Sequence, residues 1–311
     1  MSDPPEIMNQ PPLKLIARGR TDVGRKRPHN EDSIEVCEKL SLFTVADGMG
    51  GHAAGEVASR LAVDTIKQWM AKYLEGADVA IIGQPMASRS QEANFLASSI
   101  QLANRMIYDA AQSRHEYAGM GTTIVSVLTL GDHVVLAHVG DSRIYRVRGE
   151  EIAQISRDHS LVQQQIDRGI ISREEAQESQ YRHLITRALG LKESTEVDVE
   201  EHPVLPGDTF LLCSDGLSDL VEDEEMLATV VQHPDDLERA CQALVDRANK
   251  KGGDDNVTVM LIRARSGGEE VRRKVEPSAV SEDTVVLTDF RPPQGVWGKM
   301  KDWLGADRTD P

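Results

Sequence analysis

Short apolar segments joined by glycine turns constrain the fold of this chain more than any other feature. Residues 122–130 lead through Gly131-Asp132 into residues 134–139, a pattern typical of a β-hairpin. Residues 144–148 lead through Gly149-Glu150 into another strand in the same way. Further strands are predicted at residues 13–18, 34–46, 209–213 and 257–263. Strands joined so closely favour antiparallel sheets and argue against a βαβ repeat.

Two stretches instead repeat apolar residues at helical spacing. One includes Val57, Leu61, Ile66, Met70 and Tyr73, and the other includes Leu96, Ile100, Ala103, Ile107 and Ala110. Such stripes are typical of helices that bury one face. The pattern therefore predicts an α+β protein in which two long helices cover a face of the sheets.

Composition limits the functions that such a fold can carry. The formal net charge of −16 argues against a nucleic-acid partner, which needs a basic face. Three widely spaced cysteines fit free thiols in a reducing compartment. Residues 1–12 lack a secretory signal, and no stretch approaches the about 18 apolar residues of a membrane span. We expect a cytoplasmic monomer that binds neither nucleic acid nor membrane.

The periodic region spans residues 13–265, between a disordered segment at 1–12 and a mostly disordered tail at 266–311. Within it, residues 157–190 form an insertion with short helices, one of which starts at the capping-box pattern Ser172-Arg-Glu-Glu175. In the tail, Thr284 has the acidic and apolar setting of a phosphosite for a forkhead-associated-type domain. Residues 294–304 could form a short docking helix. An unmodified disordered tail is the simpler interpretation.

Aspartates stand where predicted strands meet turn residues. The positions are Asp47 before Gly48, Asp141 after Gly140, Asp215 before Gly216, and the pair Asp254-Asp255 before the strand at 257–263. Each aspartate alone is weak evidence for a ligand role, because Asp-Gly is a common turn pair. If the strand ends converge, however, their charges would repel and bound cations would relieve the repulsion. Oxygen ligands favour Mg²⁺ or Mn²⁺ over zinc, and two such ions about 4 Å apart suit phosphoester hydrolysis.

Six ordered motifs then resemble one family, the metal-dependent type 2C protein serine/threonine phosphatases (PPM). The motifs are Arg27-Pro-His-Asn-Glu31-Asp32, Val45-Ala-Asp47-Gly48-Met-Gly-Gly-His52, Gly121-Thr122-Thr123, Val139-Gly140-Asp141-Ser142-Arg143, Ser214-Asp215-Gly216 and Asp254-Asp255-Asn256-Val257. The second has the form common in bacterial members. The resemblance implies a four-layer α-β-β-α sandwich, two central antiparallel sheets flanked by helices, with residues 157–190 as the flap beside the active site. As a plain alternative, residues 157–190 form a surface helical hairpin.

The resemblance also implies roles. Asp47 would bridge two Mn²⁺ or Mg²⁺ ions, and the carbonyl of Gly48 would bind one of them. Asp215 and Asp255 would hold the other, and Asp32, with Glu31 nearby, would act through water. Asp141, with Asp215, resembles the site of a third, weaker metal.

Arg27 resembles the phosphate clamp, since its planar fork suits a phosphoryl group. The mechanism implied is direct attack on phosphoserine or phosphothreonine by a hydroxide that bridges the ions. The implied partners are phosphoproteins and a bacterial serine/threonine kinase that the enzyme opposes.

One position departs from the family. Many eukaryotic members have a histidine, proposed as a general acid, where this chain has Met49. His52 lies nearby and is a candidate acid, or it could cap the following helix. A metal-bound water is the other candidate.

Other functions fit parts of the sequence. Cys241 and Arg247 have the spacing of a cysteine phosphatase, but the residues between them are helical rather than glycine-rich. A non-catalytic phosphoprotein-binding member would lack a metal aspartate, and none is missing. Activity on small molecules or on phosphohistidine stays open.

Overall fold

The structure, a computed structural model, describes residues 13–50 and 54–266. Its strands are β1 Leu13–Asp22, β2 Asp32–Cys37, β3 Leu42–Met49, β4 Gly121–Thr122, β5 Ile124–Leu130, β6 His133–Val139, β7 Arg143–Arg148, β8 Glu151–Gln154, β9 Asp198–Pro203, β10 Thr209–Cys213 and β11 Val257–Ser266. Its α-helices are α1 Ala54–Leu74, α2 Gln91–Ser113, α3 Leu161–Asp167, α4 Arg173–Gln177, α5 Asp215–Ser218, α6 Asp223–Gln232 and α7 Leu237–Lys250, and a 3₁₀ turn covers His115–Tyr117.

The strands form two antiparallel sheets. One has the order β1-β11-β10-β7-β8, and the other has the order β2-β3-β5-β6-β9 with β4 paired to β3. Alternation along β3 shows how the sheets face each other: Phe43 and Val45 enter the core between the sheets, whereas Leu42 and Ala46 face the helices. This period of two is the geometry of a strand buried on both sides. Burial of each large inter-sheet side chain contributes roughly 1.5–3 kcal/mol.

Helices cover both outer faces. The stripes of α1 and α2 pack on the sheet that contains β3, and α7 packs with α6 on the other sheet. Ser90 caps α2 by accepting a hydrogen bond from the peptide N–H of Ala93 at 3.1 Å. The predicted four-layer α-β-β-α sandwich is confirmed.

One predicted strand is wrong in detail. Residues 34–46 form parts of two strands, because the chain turns between Cys37 and Leu42 and Ser41 adopts a φ of 52°. Leu40 within the turn is buried at 6% exposure, so the apolar pattern continues through the turn and conceals it.

Residues 157–190 contain two short helices, and the capping box at α4 is present. Ser172 Oγ accepts from the Glu175 peptide N–H at 3.2 Å, and the Ser172 N–H donates to Glu175 Oε2 at 2.7 Å. His52, Thr284 and the docking helix predicted at 294–304 lie outside the described residues. Among the described helices, none combines the length and apolarity needed to cross a membrane.

Candidate metal centre

Asp32 and Asp47 lie directly opposite each other in the β2–β3 ladder. Directly opposed side chains on one sheet face lie about 5 Å apart at Cβ, and two like charges there are destabilising. The hairpin that sequence periodicity concealed therefore brings two of the predicted aspartates together.

Asp32 is held from one side only. Its Oδ2 accepts hydrogen bonds from Ser214 Oγ at 2.9 Å and from Thr258 Oγ1 at 2.5 Å. Its Oδ1 is buried and has no hydrogen-bond partner among the residues that the structure describes. Burial raises the pKa of Asp32 to about 7, and the charge of Asp255 adds to this while the two hydroxyl bonds oppose it. One carboxylate oxygen is thus fixed and the other is left free to bind.

The backbone of Asp47 is fixed by the Gly-Thr-Thr motif. The carbonyl of Asp47 accepts from the Thr123 peptide N–H at 2.9 Å and from Thr122 Oγ1 at 2.8 Å, and its N–H donates to Thr123 Oγ1 at 3.1 Å. Thr123 Oγ1 also lies 2.7 Å from Ser142 Oγ, which joins this motif to the one that carries Asp141. Burial raises the pKa of Asp47 well above its ordinary value, as does repulsion from Asp32 and other aspartates.

Asp215 is the first residue of α5, directly after β10. Its Oδ1 is buried and unpartnered within residues 13–50 and 54–266. Burial raises its pKa well above the ordinary value, and repulsion from Asp141, Asp219 and Asp255 adds to this. A Cβ at Gly216 would lie 2.1 Å from the carbonyl oxygen of Asn256, so only glycine permits this close approach of the two motifs.

Asp141 follows β6, and burial, together with the charge of Asp158, raises its pKa to about 7. Asp219 was missed by the sequence reasoning, although it lies four residues after Asp215 and therefore one helical turn further on the same face. His183 Nδ1 lies 3.1 Å from Asp219 Oδ2, and ligand atoms of His183, Asp215 and Asp219 lie within 4.8 Å of one another.

Arg27 stands at the rim of the centre. Its Nη2 donates to Asp255 Oδ2 at 2.6 Å, and its side chain is 49% exposed. Glu31 lies behind it, half-buried, and burial raises its pKa. The carbonyl oxygen of Glu31 accepts from the N–H of Gly48 at 3.2 Å, and a Cβ at Gly48 would lie 2.1 Å from the Gly55 carbonyl oxygen.

Asn256 is a second residue that the sequence reasoning did not assign. Its Oδ1 accepts from the Glu31 N–H at 2.8 Å, and its Nδ2 donates to the carbonyls of Val23 at 3.0 Å and His29 at 2.9 Å. Because these bonds span the loop that carries Arg27, Asn256 positions that loop against Asp255. The sequence feature that could have identified Asn256 is its position directly after Asp255 in the last motif.

The structure thus brings Asp32, Asp47, Asp141, Asp215 and Asp255 to one end of the sandwich, whereas Asp254 pairs with Lys26 at 2.7 Å and is 55% exposed. Burial and mutual repulsion raise the pKa of each of the first four. Buried carboxylate oxygens without partners are costly unless a cation binds them. Apart from His183 beside Asp219, the donors described for this centre are oxygens, which fit Mg²⁺ or Mn²⁺ rather than zinc. Met49 occupies the end of β3, paired with Gly121.

The alternative cysteine site fails on geometry. Cys241 lies within α7, is fully buried, and burial raises the pKa of its thiol to about 12. A thiol that is neutral and enclosed in a helix cannot act as a nucleophile.

A carboxylate cluster with an arginine at its rim, on a two-sheet sandwich, defines a metal-dependent phosphatase. The model of the protein phosphatase 2C family matches residues 18–261. The chain belongs to the protein phosphatase 2C family.

Relatives of this family resemble the chain closely. The serine/threonine phosphatase Stp of Listeria innocua is 37% identical over 251 residues, which cover 80% of this chain and 95% of the relative. The serine/threonine phosphatase PstP of Mycobacterium tuberculosis is 37% identical over 276 residues, 89% of this chain and 50% of the relative. The crystal structure of PstP/Ppp from that organism has a TM-score of 0.71 at 34% identity and covers 81% of this chain and 99% of its own. The PstP catalytic domain in complex with two manganese ions has a TM-score of 0.69 at 35% identity, with 81% and 99% coverage.

Proposed function

We propose that this chain removes phosphate from phosphoserine and phosphothreonine in proteins, with two Mn²⁺ or Mg²⁺ ions and a third, weaker one. The observation that carries the proposal is a pair of buried oxygens in one cluster of carboxylates, Asp32 Oδ1 and Asp215 Oδ1, which have no partner within the described part of the chain. Membership of a family whose relatives are named serine/threonine phosphatases supports the substrate class. The manganese complex of PstP supports the choice of ion.

Asp47 and the Gly48 carbonyl, together with Asp215 and Asp255, would hold the two main ions. Asp141, Asp215 and Asp219 would hold the weaker one. When bound, such ions lower the pKa of water and neutralise charge on the phosphoryl group.

The remaining work falls to the protein's own residues. Ser214 and Thr258 occupy Asp32 Oδ2, so Asp32 presents Oδ1 to accept a hydrogen bond from water in the centre. Arg27 directs its planar fork of donors toward phosphoryl oxygens from the rim, where Asp255 holds it in place. Asn256 keeps the loop of Arg27 against the strand end.

Hydrolysis of a phosphothreonine peptide with added Mn²⁺ tests the proposal. We expect Asp47→Asn and Asp215→Asn each to lower kcat by at least about 10²-fold, the scale on which loss of one electrostatic group at a transition state acts. Asp235→Asn is the matched control, because Asp235 is 90% exposed and pairs with Arg265 instead. Equal rates in the wild type and both centre variants would contradict the proposal.

A second measurement separates metal from thiol chemistry. EDTA should abolish hydrolysis, whereas alkylation of Cys37, the one cysteine of the three that is not buried, should leave the rate unchanged. Hydrolysis that survives EDTA would contradict the metal mechanism.

We also propose that the enzyme acts in the cytoplasm as a monomer and opposes a serine/threonine kinase. The bacterial form of the second motif supports the opposition to a kinase. Phosphoproteins that accumulate when the gene is deleted, and that the purified enzyme dephosphorylates, would identify the kinase's targets. If deletion left the phosphoserine and phosphothreonine content of the cell unchanged, the proposed opposition to a kinase would be wrong.

A further inference from the structure

His159 joins three parts of the chain that lie far apart in sequence. It is buried at 8% exposure, between β8 and α3. Its peptide N–H donates to the carbonyl of Gly140 at 2.9 Å, and its Nδ1 accepts from the N–H of Gly140 at 3.0 Å. Both backbone groups of Gly140 are therefore bonded to a single residue.

Gly140 immediately precedes Asp141. Its φ of +111° is open to glycine, and a Cβ there would meet Thr123 Cβ at 2.6 Å. With no side chain to anchor it, this peptide depends on its backbone hydrogen bonds for its position. His159 thereby sets the path by which the chain enters Asp141.

The carbonyl of His159 holds the other end of the 157–190 segment. It accepts from the Thr186 N–H at 2.6 Å and from Thr186 Oγ1 at 3.0 Å. Next to it, Ser160 pairs with Ile185 in an isolated bridge, and the Leu161 N–H donates to the Leu184 carbonyl at 2.8 Å. The two ends of the segment are thus joined at the residue that clasps Gly140.

The imidazole ring is itself fixed. Because Nδ1 accepts from Gly140, the neutral ring carries its proton on Nε2, 3.3 Å from Asp198 Oδ2. Arg187 Nη1 donates to Asp198 Oδ1 at 2.5 Å, and the ring of His138 stacks on that of His159 with centroids 5.0 Å apart. The spacing of His138, His159 and Asp198 would suit a cation, but the Arg187 guanidinium already lies 3.1 Å from Nε2. These side chains therefore form a structural ion-pair and hydrogen-bond cluster, and not a second metal site.

We propose that His159 is a positioning residue that couples the 157–190 segment to the cation position at Asp141. This inference rests on the proposed function. Movement at the base of the segment is transmitted through His159 to Gly140 and so to the Asp141 carboxylate. By reciprocity of coupled equilibria, a cation bound at Asp141 steadies the segment, and a substrate that steadies the segment strengthens cation binding.

The test combines calorimetric Mn²⁺ titration with amide hydrogen exchange over residues 157–190, using the full chain. In the wild type, we expect Mn²⁺ at concentrations that fill the weaker position to slow exchange in the segment. His159→Ala should weaken that position about tenfold, the lower end of the effect of losing a group that orients a metal ligand, and should leave the tighter positions unchanged. It should also reduce the effect of Mn²⁺ on exchange, and what remains is carried by His183 of the segment, 3.1 Å from Asp219.

Two conservative variants locate the coupling within the ring. His159→Asn places an amide oxygen where Nδ1 stands, so it should retain the hydrogen bond from the Gly140 N–H. The Mn²⁺ affinity of the weaker position and the response of exchange to Mn²⁺ should then stay as in the wild type. His159→Gln places its amide near Nε2 and should behave like His159→Ala. Thr186→Val removes the hydroxyl bond to the His159 carbonyl from an exposed position. It should shift both readouts in the same direction by a smaller amount, and it leaves the buried His159 position unchanged.

The outcomes separate the two claims. A wild type that binds no Mn²⁺ and hydrolyses no phosphopeptide contradicts the proposed function. If the wild type is active and His159→Ala leaves the Mn²⁺ affinity of the weaker position and the exchange response unchanged, the coupling alone is overturned. The same conclusion follows if both His159→Gln and Thr186→Val leave them unchanged. Equal losses in His159→Asn and His159→Gln would also overturn it, since the Gly140 bond would then not matter.

Discussion

Two groups of buried aspartates in this molecule differ in how their negative charge is compensated. Directly before β10, Asp208 is 1% exposed and both of its oxygens accept from Arg148 at 2.7 Å. Asp158 is bonded in the same two-pronged manner by Arg143, whose Nε donates to Oδ1 at 3.1 Å and whose Nη2 donates to Oδ2 at 2.8 Å. In the metal centre, Asp32 is 8% exposed, and one of its oxygens has no partner among the described residues.

The difference shows that burial by itself does not mark a functional carboxylate. A buried acid with an arginine partner is a structural pair whose charge is already compensated. The pKa of Asp198 illustrates this: burial alone would raise it, but His159 and Arg187 hold it below its usual range. In the centre, Asp32 Oδ1 and Asp215 Oδ1 have no partner among the described residues, so these two acids stay protonated or bind cations.

The largest effect on stability should come from removing the arginine of a structural pair, in comparison with removing one acid of the metal centre. Arg148→Met leaves Asp208 buried without its cation and should lower the free energy of unfolding by about 3 kcal/mol. Asp215→Asn removes one of several repelling charges and should raise the free energy of unfolding of the metal-free protein at pH 8. Urea denaturation in EDTA measures both. A loss of stability in Asp215→Asn as large as in Arg148→Met would remove the distinction between the groups.

The second prediction concerns pH. In the metal-free protein the pKa values of Asp32 and Asp141 are about 7, against an ordinary 3.8, so the folded state binds more protons between these values. Its stability therefore falls as pH rises through this window, while cations gain access to the ionised carboxylates. Mn²⁺ at 100 times its Kd should add about 2.7 kcal/mol near pH 8 and much less at pH 5. Equal shifts of Tm by a fixed Mn²⁺ concentration at both pH values would contradict this.

The third prediction concerns the arginine that pairs with a carboxylate of the centre. Arg27→Lys keeps the charge but loses the fork, and we expect kcat/KM to fall about tenfold to a hundredfold, the value of one or more charged hydrogen bonds. Mn²⁺ affinity should change little. Arg25→Lys is the matched control, since Arg25 is 56% exposed and pairs with Asp22. Similar losses in the two variants would show that Arg27 is an ordinary surface charge.

The smallest effect should come from one hydroxyl. Thr258→Val removes a donor to Asp32 Oδ2, and because that bond lowers the pKa of Asp32, its loss should raise it. Mn²⁺ affinity at pH 6.5 should fall by roughly fivefold, about 1 kcal/mol, and recover toward pH 8.5. Thr229→Val, which removes a buried hydroxyl bonded within α6, should leave the affinity unchanged. A loss independent of pH would mean that Thr258 acts through packing alone.

Much of the fold was predictable because its signals are local. The period-two pattern of β5, β6 and β7 and the helical stripes of α1 and α2 depend on neighbouring residues. The hairpin of β2 and β3 was missed for a physical reason: Leu40 is buried inside the turn, so hydrophobicity does not fall where the chain reverses. The register of that hairpin decides that Asp32 faces Asp47.

By itself, the sequence determined the residue types of the centre, their order in six motifs and the class of chemistry that carboxylates, glycines and one arginine can support. Only the tertiary structure decided their convergence, because repulsion and hydrogen bonding depend on distance in space and not along the chain. Thr258 bonds Asp32 across 226 positions, and Asn256 reaches the loop of Arg27 across 233. The same holds for Asp219, which joins the centre only where α5 turns it toward Asp215, and for His159, whose role exists only where the ends of its segment meet Gly140.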